Sequence, residues 1–155
     1  MKKIGIGIDY SNICKEYNTM YLDRDNTDKE TIVCMTQVIE WLKALLSEIL
    51  ETYTYRIYRM NQDTPVAIDD VAHRRFLFYS LEKEMLMQTF VVQSTPIAYD
   101  TLAQWANTAQ DGLLIQNDDE GEGLYFYFEE DSSLHHWLME KLHDFSLEEV
   151  PFDAH

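Results

Sequence analysis

The sequence has little cysteine, proline, glycine or positive charge, and it has no long apolar run. Cys14 and Cys34 are too few for a disulfide framework, and their spacing matches no metal-binding motif. With 3 Pro and 5 Gly in 155 residues, long structureless stretches are not expected. The apolar start, Ile4 to Ile8, ends at Asp9, and no run approaches the ~18 residues of a membrane span. We therefore predict a cytoplasmic protein with reduced thiols and no membrane-spanning segment.

Positive charge is especially scarce, because 12 Lys and Arg stand against 28 Asp and Glu, a formal net charge of −16. Direct binding to nucleic acid or to an anionic membrane is not expected, since neutralising phosphates requires Lys and Arg. The charge favours solubility and attraction to a basic partner. Hydrophobic residues make up 46% of the chain, which is enough for a packed core, so the chain is not a disordered acidic tail.

The apolar pattern predicts a single domain over residues 1–155 with a short polar C-terminal tail. Its clearest element is a helix that begins after the capping box Thr27-Asp28-Lys29-Glu30 and ends near Thr52. The order ββαβαβαββα predicts an α+β fold, with about four helices packed on a single mixed, mainly antiparallel sheet. The predicted strands are Ile4–Tyr10, Tyr17–Arg24, Tyr53–Met60, Phe90–Gln93, Leu113–Gln116 and Leu124–Phe128. The later helices are predicted over Val71–Gln88, Leu102–Ala109 and Leu134–Phe145, capped by Asp69 or Asp70, by Asp100 and by Ser132.

The negative charge is densest in a turn between two predicted strands, Asp118-Asp119-Glu120-Gly121-Glu122-Gly123. Clustered carboxylates stay in solvent, bind a metal ion or meet a basic partner. The turn loosely resembles an EF-hand calcium loop, although its flanking segments are predicted strands where an EF-hand has helices. No metal site is predicted here. The residues that match loop positions 1, 3, 5, 6 and 12 are Asp118, Glu120, Glu122, Gly123 and Glu129.

Composition and motifs together predict a small acidic binding protein that recognises a basic protein partner through a carboxylate-rich surface. A regulator, an inhibitor or immunity protein, an adaptor and a charge mimic of DNA all fit this description. Carboxylates would steer the encounter and nearby aromatic side chains would supply affinity. No catalytic residue and no cofactor is predicted, and a homo-oligomeric adaptor is a further alternative. The predicted partner-binding residues are Asp118, Asp119, Glu120, Glu122, Glu129, Glu130 and Asp131.

The first predicted strand supports a different function. Ile6-Gly7-Ile8-Asp9-Tyr10 is an apolar strand that ends in Asp, and it resembles the first strand of ribonuclease-H-like nucleases, Holliday-junction-resolvase-like proteins and actin-like ATPases. The resemblance implies a divalent-metal-dependent hydrolase or nuclease that uses Asp9 with other carboxylates. Asp23, Asp25 and Asp118 are the candidate partners. It also implies three consecutive strands before the first helix, whereas the pattern predicts two.

The chain also has a candidate reactive thiol and a basic cluster. Cys14 beside Lys15 is a candidate reactive thiol, but no histidine partner follows from the spacing, and Cys34 borders the apolar stripe of the long helix. The only basic cluster, His73-Arg74-Arg75, is predicted to pair with acidic neighbours, because cations are disfavoured near a helix N-terminus.

Two features of the C-terminal third are predicted to be structural. His135, His136 and His143 are predicted to be solvated, because metal-binding pairs on a helix usually lie three or four residues apart. Tyr125-Phe126-Tyr127-Phe128 places aromatic rings on both faces of one strand, which predicts a strand that is buried on both sides.

Overall fold

The computed structural model describes residues 2–15, 29–78, 89–109, 111–117 and 123–152. Within these ranges the helices are α1 (Lys29–Tyr53), α2 (Arg74–Phe78), α3 (Leu102–Thr108) and α4 (Ser133–Lys141). The strands are β1 (Lys3–Asp9), β2 (Arg56–Arg59), β3 (Pro65–Val66), β4 (Thr89–Gln93), β5 (Leu113–Asn117), β6 (Gly123–Glu129) and β7 (Leu147–Val150). These strands form one sheet in the order β3-β2-β4-β5-β6-β1-β7, and each neighbouring pair is antiparallel. The predicted α+β fold is confirmed.

The long helix α1 forms as its apolar spacing predicts. Val38, Leu42, Leu46 and Ile49 recur every three or four residues and are fully buried against the sheet. The helix ends after Tyr53, where Thr54 adopts a φ of 55° and the Tyr55 N–H bonds back to the Leu50 carbonyl. Over the ranges given above, no helix is both long enough and apolar enough to cross a lipid bilayer.

The sheet is buried on both faces, because two separate sets of elements cover it. On one face, which we call the α1 face, α1, α2 and α4 pack on strand residues such as Ile6, Ile8 and Phe126. On the other, the α3 face, Trp105 from α3 packs with Val91, Leu114 and Tyr127. The strand Tyr125–Phe128 therefore lies between two cores, as predicted, with Phe126 and Phe128 fully buried on one side and Tyr127 on the other.

Glycine in β1 makes room for the aromatic rings of β6 on the α3 face. A Cβ atom at Gly5 would lie 2.5 Å from Cε1 of Tyr127 and 2.7 Å from the backbone oxygen of Val150. A Cβ atom at Gly7 would lie 3.3 Å from Cδ1 of Tyr125. The Ile-Gly alternation of the first strand thus places branched side chains in the α1 core and leaves the opposite face open to tyrosine.

The C-terminal segment, which was predicted to be a polar tail, is instead part of the fold. Leu147–Val150 pairs with Gly5–Ile8 as the edge strand β7, and Phe152 packs on Trp105 and Tyr127 with ring centroids 5.7 and 5.1 Å apart. The prediction failed because Leu-Glu-Glu-Val does not alternate, so strand pairing rather than local pattern determines its structure. The predicted strand Tyr17–Arg24 and the second half of the predicted helix Val71–Gln88 lie outside the described residues.

Of the four predicted helix caps, two are wrong, one is confirmed, and the capping box at Thr27 begins outside the described residues. Thr101, not Asp100, caps α3, since the Thr101 hydroxyl accepts a hydrogen bond from the Gln104 N–H at 3.0 Å. The helix predicted from Val71 begins three residues later, and Nδ1 of His73 accepts from the Phe76 N–H at 3.1 Å. The cap of the last helix is confirmed: Ser132 Oγ accepts from the His135 N–H at 3.1 Å.

The prediction of reduced thiols is wrong, because Cys14 and Cys34 form a disulfide. Their Cα atoms lie 5.5 Å apart, within the usual range for such a bond. Cys14 follows a short 3-10 helix, Tyr10–Asn12, at the end of β1, and Cys34 lies in the second turn of α1. The bond therefore ties the end of the first strand to the long helix, and Cys14 is no longer a candidate reactive thiol.

Candidate functional site

One end of the sheet brings together strand ends that are far apart in sequence. The pairing register places Asp9 beside Gly123, Asn117 beside Leu124, and Thr89 beside Gln116. The chain leaves the sheet after Asn117 and returns at Gly123, so both strand ends that flank the acidic turn belong here. We call this the loop end of the sheet. Its described strand termini are Pro65, Arg59, Thr89, Asn117, Gly123, Asp9 and Leu147.

The predicted partner-binding residues divide between the two ends of β6. Four of them, Asp118, Asp119, Glu120 and Glu122, lie outside the described residues, between Asn117 and Gly123. The other three begin at Glu129, six positions along β6 from Gly123. At the usual rise of a strand this separation is about 20 Å. The predicted set is therefore attached at opposite ends of one strand.

Glu129, Glu130 and Asp131 lie in a turn whose charge is partly offset. Glu130 forms an ion pair with Lys2 at 3.9 Å, and Glu129 lies close enough to Lys3 to favour its charged form. Burial has the larger effect on Lys3 and lowers the pKa of its ammonium group. Asp131 adopts a φ of 62°, and its N–H donates to Nδ1 of His135 at 2.9 Å. This turn serves the start of α4 and has basic neighbours of its own.

A cleft of about 330 Å³ opens at the loop end, between β6, β1 and β7. Asp9 and Glu148 line it, and both are exposed. Glu148 lies opposite Gly7, and Asp9 is two residues further along the same face, so the two carboxylates are diagonal neighbours. Such pairs have Cα atoms ~7–8 Å apart. We call this site, with Tyr125 and Ser146 in its lining, the acidic cleft.

Hydrogen bonds hold the wall of the acidic cleft in place. Oδ1 of Asp9 accepts from the Ser11 N–H at 3.0 Å and caps the 3-10 helix. The Asn12 amide bonds the backbone of Ser146 in both directions, at 2.8 and 3.2 Å, and also reaches the Asp9 carbonyl at 2.9 Å. The disulfide at Cys14 follows directly. The wall is therefore preorganised, while neither Asp9 nor Glu148 forms an ion pair with another described residue.

A second cavity, of about 420 Å³, lies on the other side of the loop end, near the start of α3. Arg59 and Asp100 both line it, so it has charge of each sign, and Leu102 and Met60 add apolar surface. The Arg59 guanidinium is 3.6 Å from Asp70 and lies over the ring of Phe90.

A row of side chains on the α3 face connects the two cavities. Its members are successive register partners across five strands, and we call it the polar row: Thr89, Gln116, Tyr125, Gly7 and Glu148. Nε2 of Gln116 donates to Oγ1 of Thr89 at 2.9 Å. The polar row lies one pleat nearer the loop end than the apolar row of Val91, Leu114 and Tyr127 that packs with Trp105. Neither the row nor Glu148 could be predicted from local sequence, since the adjacency of these residues depends on strand order.

The carboxylates required by the metal-dependent alternative are not brought together in the described part of the chain. Those residues contain no group of three or more His, Cys, Asp or Glu that could hold a metal ion. Asp23, Asp25 and Asp118 lie outside them. The described residues before α1 contain one strand, and β6 and β7 occupy both of its edges. That neighbourhood differs from the three consecutive strands that the resemblance implies.

The histidines of α4 and the adjoining turn have separate neighbours. The ring of His135 packs on Phe128 at 5.0 Å and stacks on His136 at 5.5 Å. His143 is 3.2 Å from Asp144 and contacts the Glu140 carbonyl at 2.8 Å. Within the basic cluster, burial lowers the pKa of His73, and the pairing of Arg74 and Arg75 stays a prediction.

The chain was also compared with known proteins. No family model matches it, and no curated protein and no solved structure matches it either.

Proposed function

We propose that this chain is a small acidic binding protein that recognises a basic protein partner through the loop end of its sheet. A regulator, an inhibitor or immunity protein, or an adaptor would act in this way. The observation that carries the proposal is the acidic cleft. There Asp9 and Glu148 lie exposed without a cationic neighbour among the described residues, beside the strand ends that flank Asp118–Glu122.

The distribution of ion pairs supports the choice of this surface. Several cations are already paired with acids elsewhere: Lys43 lies 3.1 Å from Asp69, and Lys141 lies 2.8 Å from Glu48. Ion pairs between described residues therefore lie at other places and not in the acidic cleft. A concave site lined by one sign of charge focuses the electrostatic field and raises the local concentration of oppositely charged ligands.

In the proposed mechanism, carboxylates raise the rate of association and aromatic side chains supply the affinity. Exposed carboxylates accelerate the encounter with a basic surface, and this acceleration falls as salt screens the charges. Affinity after the encounter comes from desolvated contacts at the centre of an interface, for which tyrosine is well suited. Tyr125 is half-buried in the acidic cleft, with its ring beside Gly7, and occupies the required central position.

The test begins with capture of partners from a cell extract at low and high salt, followed by titration with the purified partner. One triple variant neutralises the turn, Asp118→Asn, Glu120→Gln and Glu122→Gln. Its matched control removes the same charge at the other end of β6, Glu129→Gln, Glu130→Gln and Asp131→Asn, and asparagine tolerates the positive φ at that last position.

We expect the first variant to lower the association rate by about tenfold or more and the control to change it far less. Equal losses in the two variants would mean that total charge, rather than the loop end, attracts the partner. No salt-sensitive partner at all, or one bound equally well by both variants and the wild type, would refute the proposed function.

The metal-dependent alternative is tested by melting the protein with Mg²⁺, Mn²⁺ or Ca²⁺. A metal bound to the native state raises the melting temperature, by an amount that grows with metal concentration. We expect no such rise. A rise that disappears in Asp9→Asn would support a metal-dependent hydrolase instead.

The cytoplasmic location stays a prediction. The Cys14–Cys34 bond counts against it, because disulfides are typical of oxidising compartments. Alkylation of free thiols in acid-quenched cells decides the matter, because two labelled cysteines would support the cytoplasm and none would contradict it.

A further inference from the structure

We use the word groove for the polar row together with the cavity at each of its ends. Within the row, Gln116 and Tyr125 are half-buried and Glu148 is exposed, whereas Thr89 and Gly7 are buried. Helix α3 and Phe152 cover the neighbouring apolar row, so they form a wall along one side of the groove. At one end of the groove lies the acidic cleft, and at the other lies the second cavity. Among the described residues, this strip of the α3 face is acidic at one end and has both signs of charge at the other.

We propose that the groove binds an extended segment of the basic partner, with an arginine of that segment in the acidic cleft. The inference rests on the proposed function and makes it more specific, because it names the segment, its direction and its anchor. Charge complementarity selects the occupant, since the carboxylates of Asp9 and Glu148 are exposed, lie side by side and form no ion pair with another described residue.

The dimensions of the groove set the length of the bound segment. The polar row crosses five strands, from Thr89 on β4 to Glu148 on β7. Four steps between neighbouring strands, at ~4.8 Å each, give about 19 Å. An extended chain covers ~3.3 Å per residue, so about six residues span the row.

The geometry of the acidic cleft favours arginine over lysine. The diagonal spacing of Asp9 and Glu148 leaves room for a planar guanidinium, which can donate to a carboxylate on each side. The hydrogen bond from Ser11 occupies only one acceptor position on Asp9. The ring of Tyr125 lies beside these carboxylates because Gly7 has no side chain there, and guanidinium groups stack on such rings. A lysine ammonium satisfies fewer of these contacts.

The second cavity sets the direction of the segment. Arg59 lines it, and Asp70 and Phe90 already engage this guanidinium. Asp100 adds one carboxylate and Leu102 adds apolar surface from α3, so the lining at this end holds one charge of each sign, where the acidic cleft holds two carboxylates. An uncharged side chain therefore suits this end, so the basic residues are placed at the acidic-cleft end of the bound segment.

The test uses synthetic peptides of constant charge and increasing length. Each fluorescent peptide carries two arginines at one end, followed by none, two, four, six or eight alanine and serine residues. Affinity for the wild-type protein should rise with total peptide length up to about six residues and then stay constant, because longer peptides extend beyond the groove. Replacement of both arginines by lysine should weaken binding at least threefold.

Two double variants separate the groove from general attraction. Asp9→Asn with Glu148→Gln removes the acidic cleft but keeps an amide that can cap the 3-10 helix. The control, Glu51→Gln with Glu149→Gln, removes two exposed carboxylates elsewhere, and Glu149 is on the opposite face from its neighbour Glu148. We expect roughly tenfold weaker binding in the first and less than twofold in the control, from about a factor of three per lost ion pair.

A third variant, Gln116→Tyr, adds bulk in the middle of the row without changing charge. It should weaken binding of the peptide with six residues in total and leave binding of the two-arginine peptide unchanged. If affinity does not depend on peptide length, or if the two double variants lose affinity equally, the groove proposal is wrong while the proposed function stands. Absence of binding to every cationic peptide, together with absence of a basic protein partner, overturns both.

Discussion

Removal of the disulfide gives the sharpest test of the fold, because the sequence alone pointed to free thiols. The change is Cys14→Ala with Cys34→Ala. Both sulfur-bearing side chains are buried, with 3% and 4% of their surface exposed. Alanine fills less space than a half-cystine, but the main loss is the covalent restraint on the unfolded chain.

The expected magnitude follows from the length of the closed loop. The cysteines are 20 positions apart. In the chain-entropy description, a loop of this length restrains the unfolded state by about 3 kcal/mol at 25 °C. Unfolding entropy near ~2.1 cal/mol/K per residue gives roughly 0.33 kcal/mol/K for a chain of this size. The double variant should therefore melt about 10 °C below the wild type.

The assay compares thermal melting of both proteins with and without a reducing agent. The wild type should lose about 10 °C on full reduction, which requires partial unfolding because the bond is buried, and the double variant should not respond. Thiol counting after denaturation without reductant should find no free cysteine in the wild type. Two free thiols in freshly purified, unreduced protein would refute the assignment, as would a melting temperature that reductant leaves unchanged.

Two further predictions concern backbone space and pH. Gly5→Ala should lower the free energy of unfolding by about 1–3 kcal/mol in chemical denaturation, because its Cβ would overlap the Tyr127 ring. Gly7→Ala should lower it by less, and equal losses would contradict this packing. Burial lowers the pKa of His73 below 6.5, so the folded state disfavours protonation and stability should fall as pH drops below 6.5 towards the lowered pKa. His73→Asn keeps an acceptor for the Phe76 N–H but does not titrate. Between pH 7.5 and pH 5 this variant should lose less stability than the wild type. An equal loss in the two proteins would exclude His73 as the cause.

Local patterns predicted most elements because their cause is local. The stripe that contains Val38, Leu42 and Ile49 comes to one face only in a helix, and Lys29–Tyr53 forms that helix. Ser132 caps α4 because its hydroxyl needs only the next turn of backbone. For α3, the sequence offers two adjacent capping residues, Asp100 and Thr101, and does not show which one caps the helix. Either side chain can accept the hydrogen bond, so the backbone angles at the helix start determine which residue does.

The disulfide and β7 could not be predicted from local patterns, because each depends on contacts between distant parts of the chain. Cys14 and Cys34 meet because the end of β1 lies over the second turn of α1, and that arrangement depends on how the whole α1 face packs. Likewise, Leu147–Val150 becomes a strand because β1 has an unpaired edge there, and backbone hydrogen bonding outweighs a sequence that does not alternate.

The candidate site shows how proximity in sequence and proximity in space diverge in an antiparallel sheet. Glu129 follows the acidic turn closely in sequence, yet β6 carries it about 20 Å away, to a turn with basic neighbours. Asp9 and Glu148 are 139 positions apart, yet β1 and β7 make them diagonal neighbours at the loop end. A charge count along the chain therefore gives only the net sign of the protein, while the strand order gives the place where exposed carboxylates come together. If the loop-end variants and the far-end control differ as expected, it is the strand order that determines where the partner binds.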